Sequence, residues 1–158
     1  LIRQHKIVCS WHPSITSMIW SICEDFGVDY SQSVVLYQST FFADVFPEEN
    51  KHFQNVVFTD AVPNDKAASL LVMREKMLSR ADLSAAVFIG GMDGVETEHE
   101  LFRRFHPAAK VLPVSSPGGA ALNLAKDHGY FTGEALVDVD FAQLFHTHLA
   151  VPLAGKPS

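Results

Sequence analysis

Residues 85–98 read AAVFIGGMDGVETE, in which an apolar run ends in two glycines and a helix-like segment follows at once. Residues 110–121, KVLPVSSPGGAA, repeat the arrangement farther along the chain. The runs Ala85–Ile89 and Lys110–Val114 are almost continuously apolar, which is typical of parallel strands buried on both faces. We predict that both glycine turns lie at the same edge of a parallel sheet.

Outward from these two segments, strand-length and helix-length patterns alternate along the chain. Further apolar or β-branched runs occupy residues 6–10, 34–39 and 56–59. The alternation predicts an α/β protein with a Rossmann-like, doubly wound parallel sheet and helices on both faces. We expect residues 6–10 and 34–37 to lie parallel to the two glycine-turn strands in one sheet.

Helix signals separate the strands. Residues 15–26 carry apolar side chains at helical spacing, and Gly27 follows as the stop. Asn64 is the expected N-cap of a helix that ends at Leu78, and another helix covers residues 95–105. Ser116 is expected to cap a helix that begins at the next residue, Pro117, and stops at Gly129, whereas residues 132–151 fit either a strand or a helix. The expected apolar stripe of the second helix is Ala67, Leu70, Leu71, Met77 and Leu78.

Length and charge limit the class of protein. The 158 residues suit one domain, residues 1–150, followed by a short tail at 151–158 that is rich in small residues and proline. The formal charge of −6, from 12 basic and 18 acidic residues, argues against a nucleic-acid partner. No apolar run approaches the ~18 residues of a membrane span, so we expect a soluble protein with no membrane partner. Two cysteines and no visible secretory signal favour a cytoplasmic location.

Three loops at the expected carboxyl ends of strands are candidates for a ligand site: residues 10–14, 90–94 and 115–121. Glycines at a strand-to-helix turn let the backbone approach a ligand closely and leave amide groups for an anion. Two glycine pairs at one sheet edge therefore favour a phosphate-bearing ligand, although tight turns use glycine for steric reasons alone. The candidate ligand-binding residues are Ser10, His12, Gly90, Gly91, Asp93, Gly94, Ser116, Gly118 and Gly119.

Two charged residues, Arg74 and Glu98, fall on the apolar faces of their predicted helices. Burying an unpaired ion costs several kcal/mol (~3 or more), so each must meet a counter-charge, a ligand or the mouth of a cleft. Either the two form a structural ion pair between helices, or they belong to the binding site.

Residues 72–98, VMREKMLSRADLSAAVFIGGMDGVETE, resemble the segment of LOG-type phosphoribohydrolases in which a basic M-x-x-R-K helix precedes a strand and P-G-G-x-G-T-x-x-E. Residues 111–125, VLPVSSPGGAALNLA, are similar to a segment of sensor branches of the SMF/DprA-LOG (SLOG) superfamily. The resemblance implies a Rossmann-like nucleotide site in which Arg74 and Glu98 hold a ribose phosphate, or act on it as catalytic residues if the chain is an enzyme.

The chain departs from the hydrolase pattern in ways that favour a sensor. Ile89 replaces the proline before the glycine pair, and Val95 replaces the phosphate-contacting threonine. Between the glycine pair and the next glycine, the chain has two residues, Met92 and Asp93, where the family has one. The loop after the first strand reads SWHPSI, which places His12 in the implied pocket. That strand aligns with the family's second, so the resemblance implies that the first βα unit is missing here.

We therefore predict a domain that binds a nucleotide or a nucleotide-derived, ADP-ribose-like signal. The alternatives are an N-glycosidase that acts on nucleoside monophosphates and a degenerate Rossmann domain that serves as an oligomerisation module. We expect no cofactor, no metal and a homo-oligomer, either a dimer or a tetramer.

Histidine, cysteine and aromatic residues outside the glycine segments are further candidates for function. His146 and His148 would share one face of a strand, but no third metal ligand is evident. Cys9 ends an apolar strand and is expected in the core rather than as a nucleophile. An aromatic wall that could stack on a base, or pack in the core or a subunit interface, comprises Tyr37, Phe41, Phe42 and Phe46.

Overall fold

A computed structural model of the protein describes residues 6–10, 19–21, 24, 30–46, 48–130 and 140–149. The chain divides into two compact units, Leu1–Ser79 (unit 1) and Arg80–Ser158 (unit 2). Each unit has its own parallel sheet and its own helices.

Unit 1 holds a three-stranded parallel sheet in the order β1 (Ile7–Ser10), β2 (Val34–Ser39) and β3 (Asn55–Thr59). The central strand β2 is buried along its whole length, as its apolar sequence predicts. Helix α1 (Lys66–Leu78) packs against all three strands. Unit 1 also has short 3₁₀ helices at Tyr30–Ser33, Thr40–Val45 and Glu48–His52, and its described residues 19–21 and 24 are helical.

Unit 2 is built on the parallel pair β4 (Ala85–Ile89) and β5 (Lys110–Val114). Helix α2 (Gly94–Phe105) connects the two strands, and α3 (Gly119–Asp127) follows β5. The last described helix is α4 (Phe141–Leu149). The core joins β5, α3 and α4 through Leu112, Val114, Ala125 and Leu144.

The Rossmann-like α/β class and the parallel pairing are confirmed, but the expectation of a single sheet is corrected. Ladder hydrogen bonds join β1, β2 and β3 in one sheet and β4 and β5 in another. An apolar run indicates a buried strand. It does not indicate which strand pairs with it, because pairing uses backbone hydrogen bonds that nearly every residue can make. The sequence pattern therefore predicted the strands better than the sheets.

Helix α1 ends at Leu78 as predicted, but its beginning and its buried face differ. Asp65, not Asn64, is the N-cap, and its Oδ1 accepts a hydrogen bond from the Ala68 amide at 2.9 Å. Asn64 adopts a left-handed φ of 57° instead. The predicted stripe is wrong at Ala67 and Leu71, which are exposed, since the side chains that α1 buries are Ser69, Met73, Met77 and Leu78.

The remaining helix predictions are confirmed in part. Helix α3 begins at Gly119 rather than Pro117, because the preceding Gly118, with φ 80°, occupies the N-cap. Its end before Gly129 is confirmed. The ambiguous C-terminal stretch contains a helix, α4, and the helix predicted over 15–26 lies mostly outside the described residues.

Candidate functional site

Both glycine turns lie at the carboxyl ends of the unit 2 strands, as predicted. Gly90 and Gly91 follow β4 with φ of 58° and 80°, and Gly118 and Gly119 follow the β5 end with φ of 80° and 68°. These left-handed conformations are ones that glycine adopts without steric cost. The turns lead into α2 and α3, whose N-termini carry the positive ends of the helix dipoles.

The two turns are bonded directly to each other. The amides of Ala120 and Ala121 donate hydrogen bonds, both of 3.0 Å, to the carbonyl oxygens of Gly91 and Gly90. A Cβ on Gly119 would lie 2.7 Å from the Gly91 oxygen, so only glycine permits this approach. The glycine pattern predicted that the first-turn amides of this helix are available for phosphate. For the Ala120 and Ala121 amides that prediction is wrong, because carbonyl groups of the other turn accept their hydrogen bonds.

The polar atoms at this end of unit 2 are left with unused hydrogen-bonding capacity. The Ser116 hydroxyl is buried and has no hydrogen-bond partner among the described residues. Asp93, the N-cap of α2, makes no side-chain capping bond, and Gly118, the N-cap of α3, has no side chain with which to make one. Buried polar groups in native proteins nearly always have a partner, either another protein group or ordered water, so the Ser116 hydroxyl has a hydrogen bond still to make.

Val95 takes over the position at which the hydrolase resemblance implies a phosphate-contacting threonine. Its Cγ2 would lie 2.3 Å from a Cβ built on Gly91, so the valine packs against the bare glycine backbone. An apolar methyl therefore stands at this position of α2, where the implied threonine would offer phosphate a hydroxyl.

The model of the SLOG cluster3 family matches residues 1–149. The chain belongs to the SLOG cluster3 family. Membership of this family indicates a nucleotide-related function. No curated protein and no solved structure matches the chain.

Arg74 and Glu98, the two charged residues expected in the site of this SLOG cluster3 domain, are both half-buried. Arg74 follows the buried Met73 in α1 of unit 1, and Glu98 precedes the buried His99 in α2 of unit 2. The prediction placed each charge on the apolar face of its helix, and the structure leaves both side chains half-buried rather than fully buried. Their convergence on one ligand stays a prediction.

The first predicted loop of the SLOG cluster3 domain is described only at its start. Ser10 is the last residue of β1, is half-buried and lies in register with Tyr37 of β2. His12 lies outside the described residues. Burial raises the pKa of the Cys9 thiol to about 12, so it remains protonated and the prediction of a core cysteine is supported.

One polar side chain in unit 1 was missed by the sequence reading. Gln38 in β2 is fully buried, and neither its Oε1 nor its Nε2 has a hydrogen-bond partner within the part of the chain that the structure describes. A lone glutamine in a mostly apolar run gives no periodic signal, because burial of a polar residue depends on tertiary packing. Its place at the carboxyl end of a parallel strand is the only sequence-level clue.

Three of the four residues of the predicted aromatic wall take part in two ring contacts. Phe41 and Phe42 meet edge to face at 5.2 Å, and Phe46 packs on Phe58 of β3 at 5.7 Å. Tyr37 is buried within β2 and belongs to the sheet. Phe41 and Phe58 keep exposed surface, which suits contact with another molecule better than a closed core.

A histidine–tyrosine cluster in unit 2 was also not anticipated. The His99 Nε2 lies 2.7 Å from the Tyr130 hydroxyl, and the His99 and His128 ring centres are 4.6 Å apart. Burial, followed by the charges of His128 and Arg103, lowers the pKa of His99. The groove beside them has a volume of about 540 Å³ and is lined by His99, Glu100, Arg103, His128 and Tyr130.

Neither metal ligation nor membrane insertion finds support in the described residues. No three histidine, cysteine, aspartate or glutamate side chains of this part of the chain are grouped as a metal ion requires. His146 and His148 lie two positions apart on a helix, so they do not share a face as they would on a strand. No described helix has the length and apolar character needed to cross a membrane.

Proposed function

We propose that this SLOG cluster3 domain binds a nucleotide or a nucleotide-derived, ADP-ribose-like ligand as a sensor. The observation that carries the proposal is the pair of bonded glycine turns in unit 2, beside which the buried Ser116 hydroxyl has no partner among described residues. The turn-to-turn hydrogen bonds hold both helix N-termini in place before a ligand arrives. Such preorganisation lowers the ordering cost of binding.

The ligand's phosphate is the group that these features suit best. Helix N-termini attract anions through the positive end of the helix dipole, and this attraction remains at α3 even though its Ala120 and Ala121 amides are bonded to the other turn. Ser116 adds a hydroxyl that can donate to a phosphate oxygen. The remaining predicted contacts are Ser10, His12, Gly90, Gly91, Asp93, Gly94, Gly118 and Gly119.

The sensor is favoured over the N-glycosidase alternative by Val95. A hydrolase must hold the ribose phosphate in a fixed pose, and at this position the chain offers a methyl group packed on Gly91. In the alternative, Glu98 would stabilise the developing positive charge on ribose and Arg74 would orient the substrate. Release of free base by the wild type that is lost in Glu98→Gln would support the N-glycosidase. A sensor releases no base in either form.

Thermal denaturation with added ligands tests the proposal. We expect AMP, ADP-ribose or ribose 5-phosphate to raise the melting temperature, since a ligand at 100 times its Kd stabilises by about 2.7 kcal/mol. Ser116→Ala should reduce this shift while leaving the ligand-free melting temperature unchanged, because the hydroxyl has no partner in the described structure to lose.

The matched control is Ser84→Ala, which alters an exposed serine of the same unit and should leave the shift intact. An equal shift in the wild type and in Ser116→Ala would remove Ser116 from the site. The absence of any shift at millimolar ligand would contradict the proposal as a whole.

As part of the same proposal, the protein acts in the cytoplasm as a homo-oligomer. Exposed apolar side chains in unit 1 support association, and they include Val45, Phe58, Leu71 and Val72. The molar mass from light scattering tests this, and a monomer at micromolar concentration would contradict it.

A further inference from the structure

The groove of unit 2 that His99 and Tyr130 line is not used by the proposed nucleotide site. It lies beside the second half of α2 and the residues that follow α3. Helix α2 begins at Gly94, so Arg103 stands about 13 Å along the helix axis from the glycine turn. The groove has a volume of about 540 Å³, which lies within the ~300–1,000 Å³ of typical small-molecule sites.

The side chains at the α3 end of the groove are carried on a fixed backbone. The amides of His128 and Tyr130 donate hydrogen bonds to carbonyl oxygens of α3, at 3.2 and 3.0 Å, and Gly129 makes the turn between them with φ 62°. The Tyr130 hydroxyl also lies 2.7 Å from Nε2 of His99, which is almost fully buried. This end of the groove is therefore in place before a ligand arrives, which lowers the ordering cost of binding.

The hydrogen bond between His99 and Tyr130 leaves a donor for a ligand. Burial lowers the pKa of His99, so the imidazole is neutral at pH 7 and carries one ring proton. With that proton on Nε2, His99 donates to the phenol oxygen, and the phenolic O–H of Tyr130 is directed to another acceptor. A ligand in the groove that accepts this proton selects that tautomer.

The charges around His99 are on balance positive, although the whole chain carries a formal charge of −6. Burial is the largest cause that lowers the pKa of His99, and the charges of His128 and Arg103 lower it further. Glu100 raises this pKa with the smallest effect. Burial raises the pKa of Tyr130, and the charge of Arg103 opposes that rise. The Arg103 charge therefore acts on both members of the hydrogen-bonded pair.

We propose that this groove binds an oxyanion, the carboxylate or phosphate group of a small acidic ligand. The exposed guanidinium of Arg103 presents its donors in a planar fork that matches two oxygens of such a group. Its Nη1 also donates to the Ala109 carbonyl oxygen at 3.4 Å, which orients the fork. The Tyr130 hydroxyl and a ring N–H of His128 add donors from the α3 side. This site is separate from the glycine turns, so it stands even if the nucleotide proposal fails.

The ring resonances of His99 and His128 in NMR spectra of the whole chain report on the groove directly, and His99→Gln and His128→Gln assign them. The probes are inorganic phosphate and succinate at constant pH, with sodium chloride at matched ionic strength as the control for screening. We expect at least one probe to shift these resonances in a saturable way at millimolar concentration. Comparison of the two probes shows whether phosphate or carboxylate is preferred.

Substitutions on α2 should change this binding in opposite directions. Arg103→Gln should weaken it about tenfold or more, because the variant removes the charge and the fork. Glu100→Gln should strengthen it, because the variant removes a negative charge from the groove. The matched control is Arg104→Gln, which removes the same charge from the next residue of α2, one that is not among the described residues lining the groove. It should bind like the wild type.

Three results would overturn the inference. The first is the absence of a saturable shift with either probe. The second is an equal loss of binding in Arg103→Gln and Arg104→Gln, which would show that only net charge matters. The third is loss of the ring shifts in Ser116→Ala, which would place the anion at the glycine turns instead.

Discussion

At the residue scale, Gly119 illustrates a glycine that is needed for two separate reasons. Its φ of 68° lies in the left-handed region, and a Cβ there would come within 2.7 Å of the Gly91 oxygen. The first reason applies equally to Gly129, with φ 62°, where a Cβ would meet nothing within 4 Å. A comparison of substitutions at Gly119 and Gly129 therefore measures the contact between the two turns, because only Gly119 takes part in it.

We expect Gly119→Ala to lower the free energy of unfolding by clearly more than Gly129→Ala. Both variants pay roughly 1 kcal/mol for a left-handed alanine. Gly119→Ala also forces apart the turns that Ala120 and Ala121 join, which adds the cost of two strained hydrogen bonds, each about 0.5–1.5 kcal/mol. Urea denaturation measures both changes, and equal losses would show that the turn-to-turn contact contributes nothing.

The sequence located the glycine turns but not the bonds between them. The pairs at residues 90–91 and 118–119 are visible because glycine after an apolar run has a local meaning. That Ala120 and Ala121 donate to the other turn depends on how two strands pair, which local patterns do not encode. Gln38 and Ser116 were opposite cases: Ser116 was predicted from its loop, whereas Gln38 gave no local signal.

At the scale of single elements, α2 is a helix rich in charged residues that buries a polar side chain, His99. Leu101 and Phe102 are buried, Phe105 is 37% exposed, and the polar His99 is only 4% exposed. The helix turns His99 toward Tyr130 and His128, which follow α3. The sequence pattern predicted helix α2. It did not predict that His99 lies on the buried face of this helix, beside Tyr130 and His128.

This cluster makes stability depend on pH. The pKa of His99 is lowered chiefly by burial, then by His128 and Arg103, with Glu100 opposing. The unfolded chain therefore binds a proton at this site more readily than the folded protein does. The contribution of His99 is complete above the ordinary histidine pKa, near 6.5, and is lost as the pH falls from there toward the lowered folded value.

We expect the melting temperature of the wild type to fall as the pH is lowered from about 7 to about 5, the range in which histidine takes up a proton. The melting temperature of His99→Gln should fall less over the same range. His146→Gln, at an exposed histidine of α4, is the control and should follow the wild type. Parallel pH profiles for wild type and His99→Gln would contradict the role of His99.

At the scale of the whole molecule, the family and the fold class could be predicted from sequence, but the exact ligand could not. The glycine segments and the alternation of strands and helices sufficed for the SLOG assignment and for parallel pairing. The division of the strands into two sheets was missed because it depends on long-range pairing. Ligand identity depends on the contacts of a few side chains, and local sequence patterns do not encode which polar side chains the fold buries, as the examples of Ser116 and Gln38 show.

The central claim is that the protein binds a nucleotide-type ligand and does not consume it. The most direct measurement is equilibrium dialysis against AMP and ADP-ribose, followed by chromatography of the ligand recovered from the protein chamber. We predict that at least one of them is retained by the protein and recovered intact, with no free base, in the wild type and in Glu98→Gln alike. Retention of neither ligand, or free base that accumulates with the wild type and disappears with Glu98→Gln, would contradict the account.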